Sequence, residues 1–206
     1  MLTADDAATF ERCMAVGGIA LFPADTVYGL ACDVDTEDAI ERLYALKNRP
    51  LGQPSAVMLF SLDLALHILE ELPERARSAM EALLPGGVTL LLPNPRRRYP
   101  LACGDDPDTL GLRVPALPPP AAALRAMRWP ILQTSANLSG QPEARRVADV
   151  DETLRAHVDL VLDAGELPGT PSTVVDLRAF AGGGEWSIVR QGMESEAAIA
   201  GALAGL

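Results

Sequence analysis

The sequence predicts an α/β fold, an open twisted mixed β-sheet flanked by helices. Three observations carry that reading. Short apolar runs of strand length interleave with stretches of helical periodicity along all 206 residues, without internal repeats. Several of those runs are neighbours joined by short links, which rules out a purely parallel sheet. Apolar residues make up 49% of the chain but aromatics only 4%, so the core is aliphatic, built from Leu, Val, Ile and Ala. This length suits one domain over residues 1–206.

Thr3 and Asp6 make a capping box for a helix over 3–16, with Ala7, Phe10 and Met14 at helical spacing and Gly17-Gly18 ending it. Residues 19–22 read as a buried strand, cut by Pro23, which cannot continue a central ladder. Asp25-Thr26-Val27-Tyr28-Gly29-Leu30 follows. A polar pair, an aromatic and a glycine just past a buried strand is how an α/β protein presents side chains in a crevice at a strand's carboxyl end. A plain strand, turn and strand with nothing bound is the alternative.

Asp35 or Thr36 caps a second helix carrying Ala39, Ile40, Leu43, Tyr44 and Leu46, which closes at Lys47-Asn48-Arg49-Pro50. A strand over 56–60 precedes amphipathic helices over 61–72 and 73–84, the second opened by Pro73 in its first turn. Pro85-Gly86-Gly87 turns the chain into a strand over 88–92. Residues 94–108 are irregular, and a strand over 109–114 comes next. A helix over 121–127, a strand over 131–133 and a short helix near 149–157 follow. Strands over 160–162, 173–177 and 186–189 and a last helix from Glu194 complete the set.

The formal net charge of −11 repels phosphate backbones at long range, which disfavours a general nucleic-acid binder and leaves room for a local basic pocket. Cys13, Cys32 and Cys103 are odd in number and lack metal-ligand spacing, so they read as idle thiols in a reducing compartment. The acidic, interrupted start does not read as a signal peptide, and no apolar run reaches the roughly 18 residues of a membrane span. The expected location is cytoplasmic. His67 and His157 have no second ligand at metal spacing, and neither a phosphate-loop nor a dinucleotide glycine motif is present.

Chemistry collects at the margins of the apolar runs. Lys47 and Arg49 either complement a helix C-terminus or clamp phosphate, a point-charge ammonium beside a bidentate guanidinium. Residues 134–140 pack three hydroxyls and an amide after a buried strand. They form an ordinary Ser/Asn turn, or a nest for phosphate oxygens with Ser and Asn in reach of magnesium. Arg113 sits at the end of an apolar strand and needs a partner, for which a carboxylate is the natural match. Ser172 and Thr173 open another strand, and Arg190 ends one. Arg96-Arg97-Arg98 is a solvated loop or a mobile lid over a polyphosphate.

These pieces, in order, resemble the YrdC-like family. They are residues 23–30 (PADTVYGL), Lys47-x-Arg49-Pro50, Pro85-Gly86-Gly87-Val88-Thr89, Arg113-Val114-Pro115, residues 135–140 (SANLSG), Ser172-Thr173-Val174-Val175-Asp176 and Arg190-x-Gly192. The likeness spans about residues 10–192, and the Lys-x-Arg and Ser-x-Asn pair together are far more specific than either motif alone.

The resemblance implies a concave, positively lined cavity in the sheet, and the short form of the family without an extra C-terminal domain. It implies synthesis of threonylcarbamoyl-AMP and pyrophosphate from L-threonine, bicarbonate and ATP, the product feeding tRNA threonylcarbamoyladenosine through a separate transferase. By position, Thr26, Arg113 and Thr173 would hold threonine, with Arg113 on its carboxylate. Arg49, Gln53, Thr109, Ser135 and Arg190 would line the ATP site. Lys47, Arg49, Ser135 and Asn137 would be the catalytic phosphate cluster. Mg²⁺ would arrive with ATP near Ser135 and Asn137, without a direct protein metal site. Ala24, Gln53 and Glu143 depart from the family's common Thr, Lys or Asn, and Ser. Two rivals stand beside this expectation: a double-stranded RNA-binding module, which the charge opposes, and a divergent paralogue binding a nucleotide for another carbamoylation. Membrane contact is not expected, and direct tRNA binding is expected to be weak or absent.

Overall fold

The aliphatic runs become strands of one sheet in the computed structural model, which describes residues 1–138 and 140–206. Ser139 of the predicted hydroxyl-rich turn lies outside the described residues. Among the described residues there are nine strands: β1 (Ala20–Pro23), β2 (Tyr28–Asp33), β3 (Ala56–Met58), β4 (Val88–Pro93), β5 (Thr109–Arg113), β6 (Ile131–Ser135), β7 (Leu160–Val161), β8 (Thr173–Asp176) and β9 (Ser187–Arg190). Their order is β7-β1-β2-β6-β3-β5-β4-β8-β9. The sheet is mixed, as expected: β1–β7, β3–β5 and β4–β8 pair parallel, and the other neighbours antiparallel.

The helices are α1 (Ala4–Ala15), α2 (Glu37–Lys47), α3 (Leu62–Ile68), α4 (Glu74–Leu83), α5 (Pro100–Cys103), α6 (Glu152–Ala156), α7 (Arg178–Ala181) and α8 (Glu196–Leu203). The Thr3–Asp6 capping box starts α1 as predicted. None of the helices described is long and apolar enough to cross a membrane.

Side chains alternate across each strand, so the sheet has two distinct faces. One face carries Leu21, Leu30, Val57, Leu90, Leu112 and Val175 into a large aliphatic core with residues of α2, α4 and α8. The other face is split. Over β1, β2, β3 and β6 it carries Ala20, Phe22, Ala31, Met58 and Ile131 under α1 and a 3₁₀ helix over Pro119–Ala126. There Phe10 of α1 stacks on Phe22 at 5.3 Å and meets Phe60 edge-on at 6.3 Å. Burying such a ring contributes about 1.5–3 kcal/mol, which fixes α1 at this end of the sheet. The same face over β4, β5 and β8 carries Thr89, Thr109, Gly111, Arg113 and Val174. These five line a hollow in the sheet.

Four local differences from the sequence reading have simple causes. The helix expected over 121–127 is the 3₁₀ segment Pro119–Ala126, because three consecutive prolines (118–120) lack the N–H groups of an α-helical first turn. The stretch 94–108, read as irregular, contains α5, opened by Pro100 after Tyr99 in left-handed conformation (φ 51°). The helix near 149–157 splits into a 3₁₀ turn, Val147–Asp149, and α6, because Asp151 caps Thr153 and Leu154 with its side chain. The four residues of α7 are too few to show a helical period.

Candidate active site

The split face positions the site. Leu110 and Leu112 of β5 point into the core, so Thr109, Gly111 and Arg113 must face the other way. Register aligns the neighbours: Leu91 of β4 stands opposite Gly111, Thr89 opposite Val174 of β8, and Val174 opposite Arg190 of β9. Together with the ends of β6 and the 49–56 loop they enclose a hollow of about 370 Å³. Four arginines line it (Arg49, Arg113, Arg178 and Arg190) against two acids, Asp106 and Glu143. Asp25 and Asp176 pair with Arg113 and Arg178, and among the described residues no acid pairs with Arg49 or Arg190, so an acidic chain keeps two open cations here.

At one end Arg113 is only 3% exposed. Its Nη2 donates to Asp25 Oδ1 at 2.5 Å and to Thr26 Oγ1 at 3.4 Å, and Nη1 donates to Gln133 Oε1 at 3.5 Å. Asp25 Oδ2 accepts the Ala116 N–H at 3.0 Å, so both carboxylate oxygens are engaged. Burial pulls the Arg113 guanidinium below its usual pKa, and Asp25 opposes that pull. Arg113 Nε is buried with no hydrogen-bond partner among the described residues.

The second cluster depends on the geometry of α2. Ile40, Leu43, Tyr44 and Lys47 fall on one helical stripe, so the apolar face that docks α2 also carries Lys47 inward. Asn48, left-handed at φ 54°, then reverses the chain and brings Arg49 back to the hollow. Lys47 is 2% exposed; its Nζ donates to the Ser135 carbonyl and lies 3.4 Å from Asn137 Oδ1. Ser135 Oγ donates to Asn137 Oδ1 at 2.6 Å, and Asn137 Nδ2 donates to the Gln141 carbonyl. Burial first, and then the neighbouring Arg49 charge, lower the Lys47 pKa to about 8 against the opposing pull of Glu143. Lys47 is also the chain's one lysine beside sixteen arginines. Arg49 donates to the Pro54 carbonyl, and its guanidinium carbon lies 5.4 Å from the centre of the Tyr44 ring. Its Nε, like that of Arg113, is buried without a described partner.

Arg190 donates to the Ser172 carbonyl at 2.8 Å, and Ser172 Oγ pairs with Thr89 Oγ1 at 2.7 Å. Of the residues singled out from sequence, Arg49, Thr109, Arg113, Ser135 and Arg190 line the hollow directly. Lys47 and Asn137 stand behind it through Ser135, and Thr26 through Arg113. Thr173 is fully buried: its hydroxyl donates to the Glu194 carbonyl and accepts the N–H groups of Gly192 and Glu194, tying down the segment after β9. Gln53 is exposed on the 49–56 loop and outside the lining. Of the three departures, Glu143 lines the hollow, while Ala24 is packed in the apolar layer under α1.

Arg96, Arg97 and Arg98 do not form a lid. Arg98 makes two bonds to Glu71, at 2.7 and 3.2 Å, and Arg97 pairs with Asp108 at 3.0 Å. Nearby acids hold the triplet, and none of the three lines the hollow. Gln133, Asp106 and Arg178 line the hollow and escaped the sequence reading. Asp25, named there as half of a polar pair, stands behind the wall through Arg113. The other three owe their place to strand register and to α7.

The Sua5/YciO/YrdC model, described as telomere recombination, matches residues 12–192. A threonylcarbamoyl-AMP synthase of Xanthomonas campestris pv. campestris (strain B100) is 37% identical over 169 residues, covering 80% of this chain and 89% of the relative. One from Stenotrophomonas maltophilia is 36% identical over 172 residues, 82% of this chain and 89% of the relative. Among solved structures, Pyrococcus abyssi Sua5 complexed with L-threonine gives a TM-score of 0.82 at 28% identity. That match covers 99% of this chain and 59% of the Sua5 chain, so this chain spans less than two thirds of that protein. Escherichia coli YciO, at 24% identity and a TM-score of 0.80 over 97% of this chain and 95% of its own, shares the fold.

Proposed function

The chain belongs to the Sua5/YciO/YrdC family, and from that membership we propose that it joins L-threonine, bicarbonate and ATP into threonylcarbamoyl-AMP and pyrophosphate. The carrying observation is convergence: Arg49, Thr109, Arg113, Ser135 and Arg190, distant in sequence, line one hollow.

The chemistry suits such a place. The threonine amine takes up the carbon of bicarbonate with loss of water, giving a carbamate. A carbamate oxygen then attacks the α-phosphorus of ATP; the new O–P bond forms as the bond to the β-phosphate breaks, and pyrophosphate leaves. Both partners are anions, so the protein's task is to hold them together against repulsion. Arg113 takes the threonine carboxylate, its free Nε supplying a donor that the Asp25 contact leaves over. Lys47, Arg49 and Arg190 balance the phosphates. Neither a covalent nucleophile nor a titrating histidine enters the scheme.

Magnesium fits this site as a passenger of ATP. Among the described residues no group of three or more His, Cys, Asp or Glu could hold a metal alone. Ser135 Oγ gives its proton to Asn137 and keeps its lone pairs, an oxygen ligand of the kind a hard cation takes. Asn137 Oδ1 already accepts from Ser135 and faces Lys47, so its part is to orient both. Bound there, the ion would neutralise phosphate charge.

The product, a mixed anhydride, is consumed by a separate tRNA-modifying transferase. Exposed arginines such as Arg97, Arg145 and Arg146 are paired with carboxylates, and the net charge of −11 weighs against the RNA-binding rival. The deciding experiment incubates the protein with ATP, Mg²⁺, bicarbonate and each amino acid, and reads acyl-adenylates by mass spectrometry. A threonine-dependent adenylate is the expected result; none with any amino acid refutes the proposal.

A further inference from the structure

The hollow has three walls, and the proposed reaction accounts for two. Arg113 with Thr26 serves the amino acid, and the Lys47–Arg49–Ser135–Asn137 group serves the phosphates. The third wall is formed by Asp106, Thr109 and Arg178, with Asp176 holding Arg178 from behind. Arg178 Nε and Nη2 both bond Asp176, at 3.0 and 2.5 Å, while Nη1 reaches Thr109 Oγ1 at 3.0 Å and Asp106 Oδ2 at 3.5 Å. Thr109 Oγ1 donates in turn to Asp106 Oδ2 at 2.7 Å. The guanidinium is therefore fixed along its edges, yet its side chain is 44% exposed and lines the hollow. Edges tied and a face open make a platform for a flat ligand.

Position and composition point the same way. Thr109 lies four residues along β5 from Arg113, about 13 Å at strand rise, at the far end of an apolar floor formed by Leu91 and Gly111. None of the described lining residues is Phe, Tyr, Trp or His, so a base entering the hollow finds no aromatic ring to stack on. Arg113 and Arg190 are engaged at the opposite end, and Arg49 is committed to Pro54 and the Tyr44 ring.

We propose that Arg178 is the stacking platform for the adenine base of the nucleotide, with Asp106 Oδ1, which has no partner among the described residues, accepting from the exocyclic amine. This rests on the ATP-dependent reading above. It makes Arg178 a specificity residue of the nucleoside, remote from the transferred phosphorus.

The test measures threonine-dependent pyrophosphate release with ATP, GTP and CTP for the wild type, Arg178→Ala, Arg178→Lys and Asp106→Asn. Loss of one base-stacking contact raises KM for ATP about tenfold, with kcat and KM for threonine nearly unchanged. Arg178→Lys keeps the charge and loses the plane, so it behaves like Arg178→Ala, and both lose preference for ATP over CTP. Asp106→Asn narrows the preference for ATP over GTP. A merely structural tie would let Arg178→Lys keep wild-type constants, or lower kcat together with affinity; either result, or an unaltered ATP-to-CTP ratio, overturns the proposal. If Arg178→Ala does not fold, as read by thermal melting, Arg178→Lys decides alone. If the wild type releases no pyrophosphate, the reaction assignment fails, and calorimetric titration of ATP and CTP into wild type and Arg178→Lys still tests the platform.

Discussion

Two sets of arginines in this chain behave in opposite ways. Arg96, Arg97 and Arg98 are adjacent in sequence and form the densest positive patch a reader sees, yet Glu71 and Asp108 hold Arg98 and Arg97 while Arg96 lies half exposed near Glu70. Arg49, Arg113, Arg178 and Arg190 are scattered over most of the chain and share one hollow. Strand register concentrates charge here, and sequence adjacency does not. A surface arginine finds a carboxylate within reach and gains little from it. A cation on the uncovered face of a sheet, with low-polarity walls on either side, keeps a strong field for a ligand.

The largest expected effect tests how much the hollow's side of that contrast costs. Asp25→Asn leaves Arg113 buried without its counter-charge and lowers stability by about 3 kcal/mol, read from the urea midpoint. A change near zero would mean that Arg113 is no more constrained than the loop arginines. Lys47→Met and Arg49→Ala should leave the circular dichroism spectrum intact and cut adenylate formation at least tenfold, about 1.4 kcal/mol, in the pyrophosphate assay.

A third test uses pH. Lys47 titrates at about 8 when folded, against its ordinary 10.5. Between those values the unfolded chain still holds a proton that the folded chain has released, so this group makes stability rise with pH across the window. A step that needs the ammonium does the reverse and fades as pH passes 8. Hence kcat/KM for ATP should fall above about pH 8, and Lys47→Met should erase that limb. Isotope-labelled lysine gives a single side-chain resonance here, since Lys47 is the one lysine, and its midpoint checks the shift directly. The smallest effect belongs to the loop. Arg98→Ala should cost about 1 kcal/mol or less and Arg97→Ala less than about 0.5 kcal/mol, both with full activity.

The sequence showed some of this plainly and could not show the rest. Aliphatic runs and the Thr3–Asp6 cap marked strands and the first helix because burial and capping act locally. Lys47 was visible as a cation at a helix end; that it turns inward follows from the Ile40–Leu43–Tyr44 stripe, which was also in view. Arg113 advertised its need for a carboxylate. That Asp25, 88 residues earlier, already supplies one depends on how the β1–β2 link and β5 are brought together, a non-local fact. Arg178 stayed hidden for the same reason: α7 is too short for a period, and its neighbours Asp106 and Thr109 lie 72 and 69 residues away.

The Asp25–Arg113 pair has a consequence for selectivity. Since the guanidinium is never bare, a visiting acid must trade against an internal one of equal charge. Acetate, offering charge alone, gains nothing by the exchange. Under the proposed reaction, a visitor that also reaches the spare Nε and the wall around Thr26 is the one the exchange favours.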